Sequence, residues 1–262
     1  DIDGNVWVCV RYYPYKIDSM YVGNKFDNYS DNGIRKISSD GEILFDRSLS
    51  QLLIDKSLEH LLFSNAESFK KDPIHLNDIQ PAFTDTKYWK KGDLFLSFRN
   101  LSMTMLYRPS SDSIIWTSLG GKFFNQHDVN ILNNNQISIF NNNAKWLYDG
   151  LRVDGYNNMV IYDFSNNQYK NYLSESFINE DVRTWIEGRG TILPNGDLFI
   201  EETRSGRLLY FNSDGSLRWT HVNRGNNGKV YYTGWCRILY ENEDIEKVNR
   251  FLKIKNEITY NE

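Results

Sequence analysis

The chain has 262 residues, 15% of them aromatic, and a formal net charge of -4. This length suits one large domain, and the aromatic content with many asparagine-containing turns favours β-strands over helical bundles. The acidic balance argues against a nucleic-acid-binding protein, because neutralising phosphates requires a basic surface, and no apolar run is long enough to span a membrane.

The chain starts at Asp1 and contains two cysteines, Cys9 and Cys236. No signal peptide is visible, so either a leader has been removed or the chain is a piece of something longer. The cysteines are far apart and lack metal-ligand spacing, which argues against a cysteine-based metal site. The composition leaves the oligomeric state open.

A hairpin pattern recurs four times, at residues 34–45, 105–116, 160–171 and 208–219. Each copy is an apolar strand, a polar turn of Ser, Asp, Asn or Gly, and a second strand that usually ends in an aromatic residue. Another strand, which opens on a small turn residue, precedes each hairpin at residues 4–8, 92–96, 135–139 and 196–200.

One further strand lies before three of these units, at residues 74–79, 126–132 and 188–193, and a related run at residues 234–239 starts a fifth unit. Antiparallel strands that recur about every 45 to 70 residues are typical of β-propeller blades. The sequence therefore predicts an all-β fold, a single β-propeller domain over residues 1–262.

The first strand of each propeller blade lines the central channel. His75 and His127 are therefore expected to recur at one place in the repeated unit and to face a common axis. Arg189, between two glycines, is expected at the same place in the next blade, where it offers a guanidinium. The alternative is that each histidine is structural and bonds to backbone or to Asp78 and Asp128. Recurrence of the pair favours a functional role.

Two stretches depart from the β pattern. Residues 48–63 and 243–254 carry apolar side chains at near-helical spacing, which predicts two short peripheral helices. Laid over a face or edge of the ring, they would also protect edge strands from aggregation.

Closure of the ring has two solutions. Residues 1–4 have the pattern of the end of an innermost strand whose beginning is absent. In one solution residues 234–239 supply that strand, which places Cys236 beside Cys9. In the other, N-terminal blades precede this chain. The second is favoured, because four blades lie at the low end of the propeller range.

Five motifs follow one another in order: HLNDI (75–79), GDLFLSFRN (92–100), SIIWTSLGG (113–121), QHDVNIL (126–132) and ISIFNNN (137–143). Together they resemble the bacterial arylsulfate sulfotransferase (ASST-like) family, with a looser likeness at residues 187–203. The resemblance implies a six-bladed propeller, periplasmic or extracellular, that moves a sulfuryl group from an aryl sulfate to a phenolic or other hydroxyl acceptor. Transfer would pass through a channel histidine, without a nucleotide donor.

The resemblance also implies roles for particular residues. The catalytic candidates are His127, His75 and Arg189, and the substrate-binding candidates are Asn77, Arg99 and Asn130. Arg99 has an alternative role in tying one blade to the next by charge-assisted hydrogen bonds. The family channel carries one more histidine, in whose place this chain has Arg189, so loss of sulfuryl transfer in this branch is an open alternative.

The chemistry suits these residue types. A neutral imidazole is a good nucleophile towards sulfur, nearby donors stabilise charge on the sulfuryl oxygens, and a second imidazole can take the phenol proton. The sequence has no G-x-G-x-x-G after a strand and no P-loop, so no nucleotide cofactor is expected.

Two other functions compete with sulfuryl transfer. One is a polysaccharide lyase, in which a channel histidine with Tyr and Arg abstracts a proton next to a uronate carboxylate of an acidic glycan. The other is a non-catalytic propeller that presents its face to a glycan or a protein.

Overall fold

The computed structural model describes residues 1, 3–22, 29–66, 68–118 and 121–259. Leu119 and Gly120, in the SIIWTSLGG motif, and Ile2, in the predicted inner strand at residues 1–4, lie outside the described residues. The described residues form an all-β fold of antiparallel sheets with a few helices, as predicted.

The strands are β1 (Val6–Tyr12), β2 (Asp31–Ile37), β3 (Ile43–Ser48), β4 (Leu76–Pro81), β5 (Leu94–Phe98), β6 (Met103–Arg108), β7 (Ser113–Ser118), β8 (His127–Ile131), β9 (Gln136–Asn141), β10 (Ala144–Leu147), β11 (Gly150–Val153), β12 (Asn158–Asp163), β13 (Gln168–Tyr172), β14 (Arg189–Ile192), β15 (Leu198–Glu202), β16 (Arg207–Phe211) and β17 (Leu217–Val222). The helices are α1 (Ser19–Val22), α2 (Leu49–Asp55), α3 (His60–Phe63), α4 (Ser174–Asn179) and α5 (Asn242–Thr259).

The strands are grouped into successive sheets that repeat one order. Strands β4 to β7, then β8, β9, β12 and β13, then β14 to β17 each form a four-stranded antiparallel sheet whose strands pair in chain order. A three-stranded sheet, β1 to β3, precedes them. All four predicted hairpins and the three predicted innermost strands are present. The ribbon of β10 and β11, inserted between β9 and β12, was not predicted.

The apolar core lies in layers between successive sheets. Strand β5 shows how the sequence builds them, because its side chains alternate between two faces. Leu94 and Leu96 pack with the first sheet and α2, whereas Phe95 packs with β9 and Tyr162 of the third sheet. Phe140 and Met159 then form the next layer with the fourth sheet. Each sheet thus contacts the next, and the innermost strands β4, β8 and β14 lie side by side.

The two predicted helical stretches fold differently. Residues 48–63 form α2 and α3, and Leu49, Leu52 and Leu53 are fully buried against the first two sheets. Residues 243–254 lie within α5, but Phe251 is 66% exposed and Leu252 is 49% exposed. The expectation that this helix lies over a sheet is therefore wrong for its described side chains.

The C-terminal run at residues 234–239 forms no strand in the described structure. Cys236 instead packs near Leu193 and Phe199 of the fourth sheet, and both cysteines are free. The described residues 1, 3 and 4 form no strand either. No described helix combines the length and apolarity that a membrane crossing requires.

Candidate functional site

A cavity of about 460 Å³ opens where the N-terminal ends of β4, β8 and β14 meet. It is lined by His75, Asn77, Asp78, His127, Asp128, Glu187, Gly188, Arg189, Thr203, Tyr232, Thr233, Gly234 and Trp235. The structure therefore brings His75, His127 and Arg189 together, although they are remote in sequence.

Another cavity of about 460 Å³ lies among the turns of the first two sheets. Its described lining includes Trp7, Phe45 and Phe83 with Asp1 and Lys36, and contains no histidine. The cavity between β4, β8 and β14 holds the candidate nucleophiles and bases, so it is the candidate active site.

His127 is held in one tautomer by Asn142. The His127 Nδ1 atom lies 2.7 Å from Asn142 Oδ1. Asn142 is fully buried, and its Nδ2 donates to the carbonyl oxygens of Thr184 (3.0 Å) and Glu187 (2.7 Å), which assigns the amide oxygen to the imidazole side. Nδ1 therefore carries the proton, and Nε2 keeps its lone pair.

Burial also keeps His127 uncharged. It lowers the pKa of His127 to about 4, and the nearby charges of Arg99 and His75 add to this effect. The hydrogen bonds to Asn142 and to the backbone of Asn125 oppose it. The imidazole is therefore neutral at neutral pH. A neutral ring with a free Nε2 is the form that a nitrogen nucleophile requires.

His75 is paired with a carboxylate. Its Nδ1 lies 2.6 Å from Asp72 Oδ2, and Asn32 Nδ2 donates to Asp72 Oδ1 at 3.0 Å. Burial raises the pKa of Asp72, but the hydrogen bonds from His75 and Asn32 outweigh it, and the pKa lies below its usual value. An ionised Asp72 orients His75 with its Nδ1 proton towards the carboxylate, and it stabilises the imidazolium that forms when His75 takes a second proton.

Arg189 supplies a partly free guanidinium. Its Nε donates to Asp128 Oδ1 at 3.0 Å, and the Gly190 N–H donates to Asp128 Oδ2 at 2.9 Å. Its Nη1 is buried and has no hydrogen-bond partner among the described residues. An unpaired buried donor in a cavity wall is suited to an anionic ligand.

The three predicted substrate-binding residues lie at different distances from the cavity. Asn77 lines the cavity; its Nδ2 donates to Gln126 O at 2.8 Å, while its buried Oδ1 has no partner among the described residues. Arg99 lies behind the wall, 8% exposed, and donates from Nη1 to Asn100 Oδ1 at 2.9 Å. Asn130 lies outside the wall, where its Nδ2 is 3.4 Å from Gly190 O and joins β8 to β14. Arg99 thus contributes positive charge to the site rather than direct contact.

The two histidines do not occupy one place in the repeated unit, which corrects the expectation from sequence. The bonds from Ala82 N to Asp93 O and from Leu132 N to Gln136 O close the same turn in the second and third sheets. Asn77 precedes Ala82 by the same number of residues as His127 precedes Leu132, so Asn77 and His127 are equivalent. His75 lies two residues before Asn77. The histidines share a cavity because β4 and β8 are neighbours.

The residues that do recur are aspartates. Asp78 Oδ2 accepts from the Val129 N–H at 2.7 Å, and Asp128 Oδ2 accepts from the Gly190 N–H in the same way. Arg189 occupies the equivalent place on β14, level with Asp128, so the expectation that it shares the place of His75 and His127 is also wrong. The repeated carboxylates tie each innermost strand to the next.

Sequence reasoning missed three parts of the site: Asp72, Asn142 and residues 232–235. Asn142 stands inside the ISIFNNN motif, and Asp72 precedes His75 by three residues, so both were within reach of a search for groups that orient imidazoles. Residues 232–235 lay in or beside a run interpreted as a strand. Nothing in the described residues groups three or more His, Cys, Asp or Glu side chains around a possible metal position.

Comparison with known proteins gives one family and several distant structures. A family model described as arylsulfotransferase (ASST) matches residues 1–224. No curated protein matches the chain. Similar solved structures include a protein of unknown function from Bacteroides caccae, 15% identical with a TM-score of 0.46, which covers 72% of this chain and 58% of that one. Virginiamycin B lyase from Staphylococcus aureus is 8% identical with a TM-score of 0.42, and covers 87% of this chain and 67% of that one.

The chain therefore spans little more than half of the Bacteroides caccae structure. The family match includes all six candidate residues and every strand of the described structure, and it ends before residues 231–236.

Proposed function

This chain belongs to the arylsulfotransferase (ASST) family, and we propose that it transfers a sulfuryl group from an aryl sulfate to a phenolic or other hydroxyl acceptor without a nucleotide donor. One observation carries the proposal. A partly buried His127, neutral and with its proton on Nδ1, lines a cavity that also holds an unpaired buried guanidinium N–H. We further propose that the whole protein is an exported six-bladed propeller.

In the first step, the His127 Nε2 lone pair forms a bond to sulfur. The bond from sulfur to the aryl oxygen breaks, and its electron pair leaves with that oxygen, which takes a proton from protonated His75 or departs as a phenolate. Arg189 Nη1 donates to a sulfuryl oxygen, and the buried charge of Arg99 adds a favourable field.

In the second step, the neutral His75 removes the proton from the acceptor hydroxyl. The acceptor oxygen bonds to sulfur, the bond from sulfur to His127 Nε2 breaks, and the imidazole recovers its lone pair. Asp72, 2.6 Å from His75 Nδ1, stabilises the His75 imidazolium formed at this point. When the aryl oxygen took its proton from His75 in the first step, His75 is thus restored; when it left as a phenolate, the proton on His75 is released to water, and the electron pairs balance in both cases.

The direct test is incubation with para-nitrophenyl sulfate and a phenol. We expect a sulfated acceptor and a sulfurylated histidine peptide by mass spectrometry. A folded, full-length preparation that gives neither would overturn the proposal. Ultraviolet-absorbing unsaturated ends on an acidic glycan would favour the lyase, whereas ligand binding without any turnover, unchanged in His75→Ala and His127→Ala, would favour a non-catalytic propeller.

The pH dependence of the first step should report the low pKa of His127. Only the neutral imidazole attacks, so the rate falls as pH decreases through the His127 pKa, about 4, rather than through the ordinary histidine value of about 6.5. Single-turnover release of nitrophenol, whose departure needs no proton, isolates this step. Circular dichroism at each pH separates titration from acid unfolding, and an acidic limb near pH 6.5 would contradict a buried neutral His127.

Asn142 should act as a positioning residue. In Asn142→Leu the His127 Nδ1 proton loses its acceptor, so the tautomers mix and the single-turnover rate should fall about a hundredfold. Nitrogen-detected NMR should show the Nδ1-protonated tautomer in the wild type and a mixture in the variant. The exposed Asn134→Leu, in the β8–β9 turn, is the control, and an unchanged tautomer in Asn142→Leu would contradict this role.

A further inference from the structure

The segment of residues 231–236, here called the strap, forms one wall of the cavity and lies beyond the region that the family model matches. It is fixed to the fourth sheet along its length. Its backbone N–H groups donate from Tyr231 to Asn223 O (2.8 Å), from Thr233 to Thr203 O (3.1 Å) and from Cys236 to Glu201 Oε2 (2.8 Å). The strap is therefore a built part of the site.

Glu201 fixes the C-terminal end of the strap. This carboxylate is fully buried and accepts from Thr203 Oγ1 at 3.1 Å as well as from Cys236 N. A buried carboxylate needs such donors, because an unsatisfied one is costly. The Cys236 bond therefore fixes the backbone immediately after Trp235.

Trp235 is the unusual residue of the strap. Its φ is 58°, in the left-handed region that a bulky side chain rarely adopts, and its side chain is 66% exposed. Tyr232, also in the cavity wall, is 68% exposed. Anchors on both sides of Trp235 thus hold a large aromatic ring at the cavity wall, with most of its surface open to a ligand.

The ring stands next to the free donor of the site. The Arg189 guanidinium carbon lies 4.7 Å from the centre of the Trp235 ring, and Arg189 Nη1 has no described partner. A ligand that carries an aromatic ring next to an anionic group would meet an aromatic surface and a hydrogen-bond donor side by side.

We propose that Trp235 is a specificity-determining residue, whose ring stacks on the aromatic ring of the substrate while Arg189 binds the attached anionic group. This inference relies on the proposed function for the identity of that group. It predicts that the cavity binds aryl sulfates in preference to alkyl sulfates.

Calorimetric binding of naphthyl sulfate and octyl sulfate tests the proposal, with every protein compared, the reference called wild type included, carrying His127→Ala so that no sulfuryl group is transferred during the measurement. Trp235→Ala should bind naphthyl sulfate about tenfold more weakly than the wild type, and Trp235→Phe should stay within about threefold. Octyl sulfate affinity should not change. Trp146→Ala, on the β10–β11 ribbon and 79% exposed, is the matched control and should bind like the wild type.

Each outcome separates this inference from the proposed function. If naphthyl sulfate binding depends on Trp235 but no sulfuryl transfer occurs, the ring contact stands and the proposed reaction fails. Equal losses for octyl and naphthyl sulfate, wild-type affinity in Trp235→Ala, or no naphthyl sulfate binding by the wild type would overturn the role of Trp235. Transfer would then rely on other contacts to the ring.

Discussion

Replacing His127 by Ala should reduce sulfuryl transfer about a thousandfold or more, because the variant has no imidazole to carry the sulfuryl group between donor and acceptor. The sulfurylated peptide that contains His127 should disappear at the same time. Rapid-quench kinetics with para-nitrophenyl sulfate, followed by mass spectrometry, measures both effects in one experiment.

His75→Ala is the informative comparison. His127 keeps its Asn142 partner in this variant, and nitrophenolate leaves without a proton, so sulfurylation should proceed while discharge to a phenol slows about a hundredfold. The covalent intermediate should therefore accumulate. A sulfuryl group found on His75 instead, or unchanged transfer in His127→Ala, would show that the roles of the two imidazoles are wrongly assigned.

Most of the architecture could be predicted because it depends on local signals. Strand β5 reads Leu94-Phe95-Leu96 and buries alternate residues in two layers, and turn residues mark each hairpin. These patterns act within a few residues of chain, so no knowledge of distant partners is needed. The three innermost strands followed from the same repeated spacing.

The site itself was only partly predictable. Convergence of His75 and His127 followed from adjacent innermost strands, but their register depends on bulges at Leu76/Asp78 and His127/Val129 that residue types do not reveal. The tautomer of His127 depends on Asn142, which is fixed in turn by two carbonyls of another segment. Such contacts between distant segments have no periodic signal.

For the strap and α5, the sequence did not predict which parts of the protein these segments contact. The apolar spacing of residues 243–254 predicted a helix correctly, yet Phe251 remains largely exposed, because periodicity specifies a face and not its partner. Trp235 stood inside an apolar run that suggested a strand. The buried Glu201 carboxylate instead holds that run beside the cavity.

The largest expected effect on stability comes from replacing Asp128 by Asn. The same replacement at the equivalent Asp78 should have little effect. Burial raises the pKa of Asp78 to about 7, and the Asp128 charge adds to this. Burial raises the pKa of Asp128 too, but the Arg189 charge and the Gly190 N–H oppose it. The ion pair with Arg189 and the bond from the Gly190 N–H favour the charged form of Asp128, so a proton held by the two carboxylates goes to Asp78.

Asp128→Asn should therefore destabilise the protein by about 3 kcal/mol, because the partly buried Arg189 would lose its counter-charge. Asp78→Asn keeps an acceptor for the Val129 N–H and should cost little. The raised pKa of Asp78 means that its ionisation opposes folding, so wild-type stability should fall as pH rises through about 7, and Asp78→Asn should lack this fall. Urea unfolding at pH 5 and pH 8 measures both effects. Equal losses in the two variants would contradict the different roles of these carboxylates.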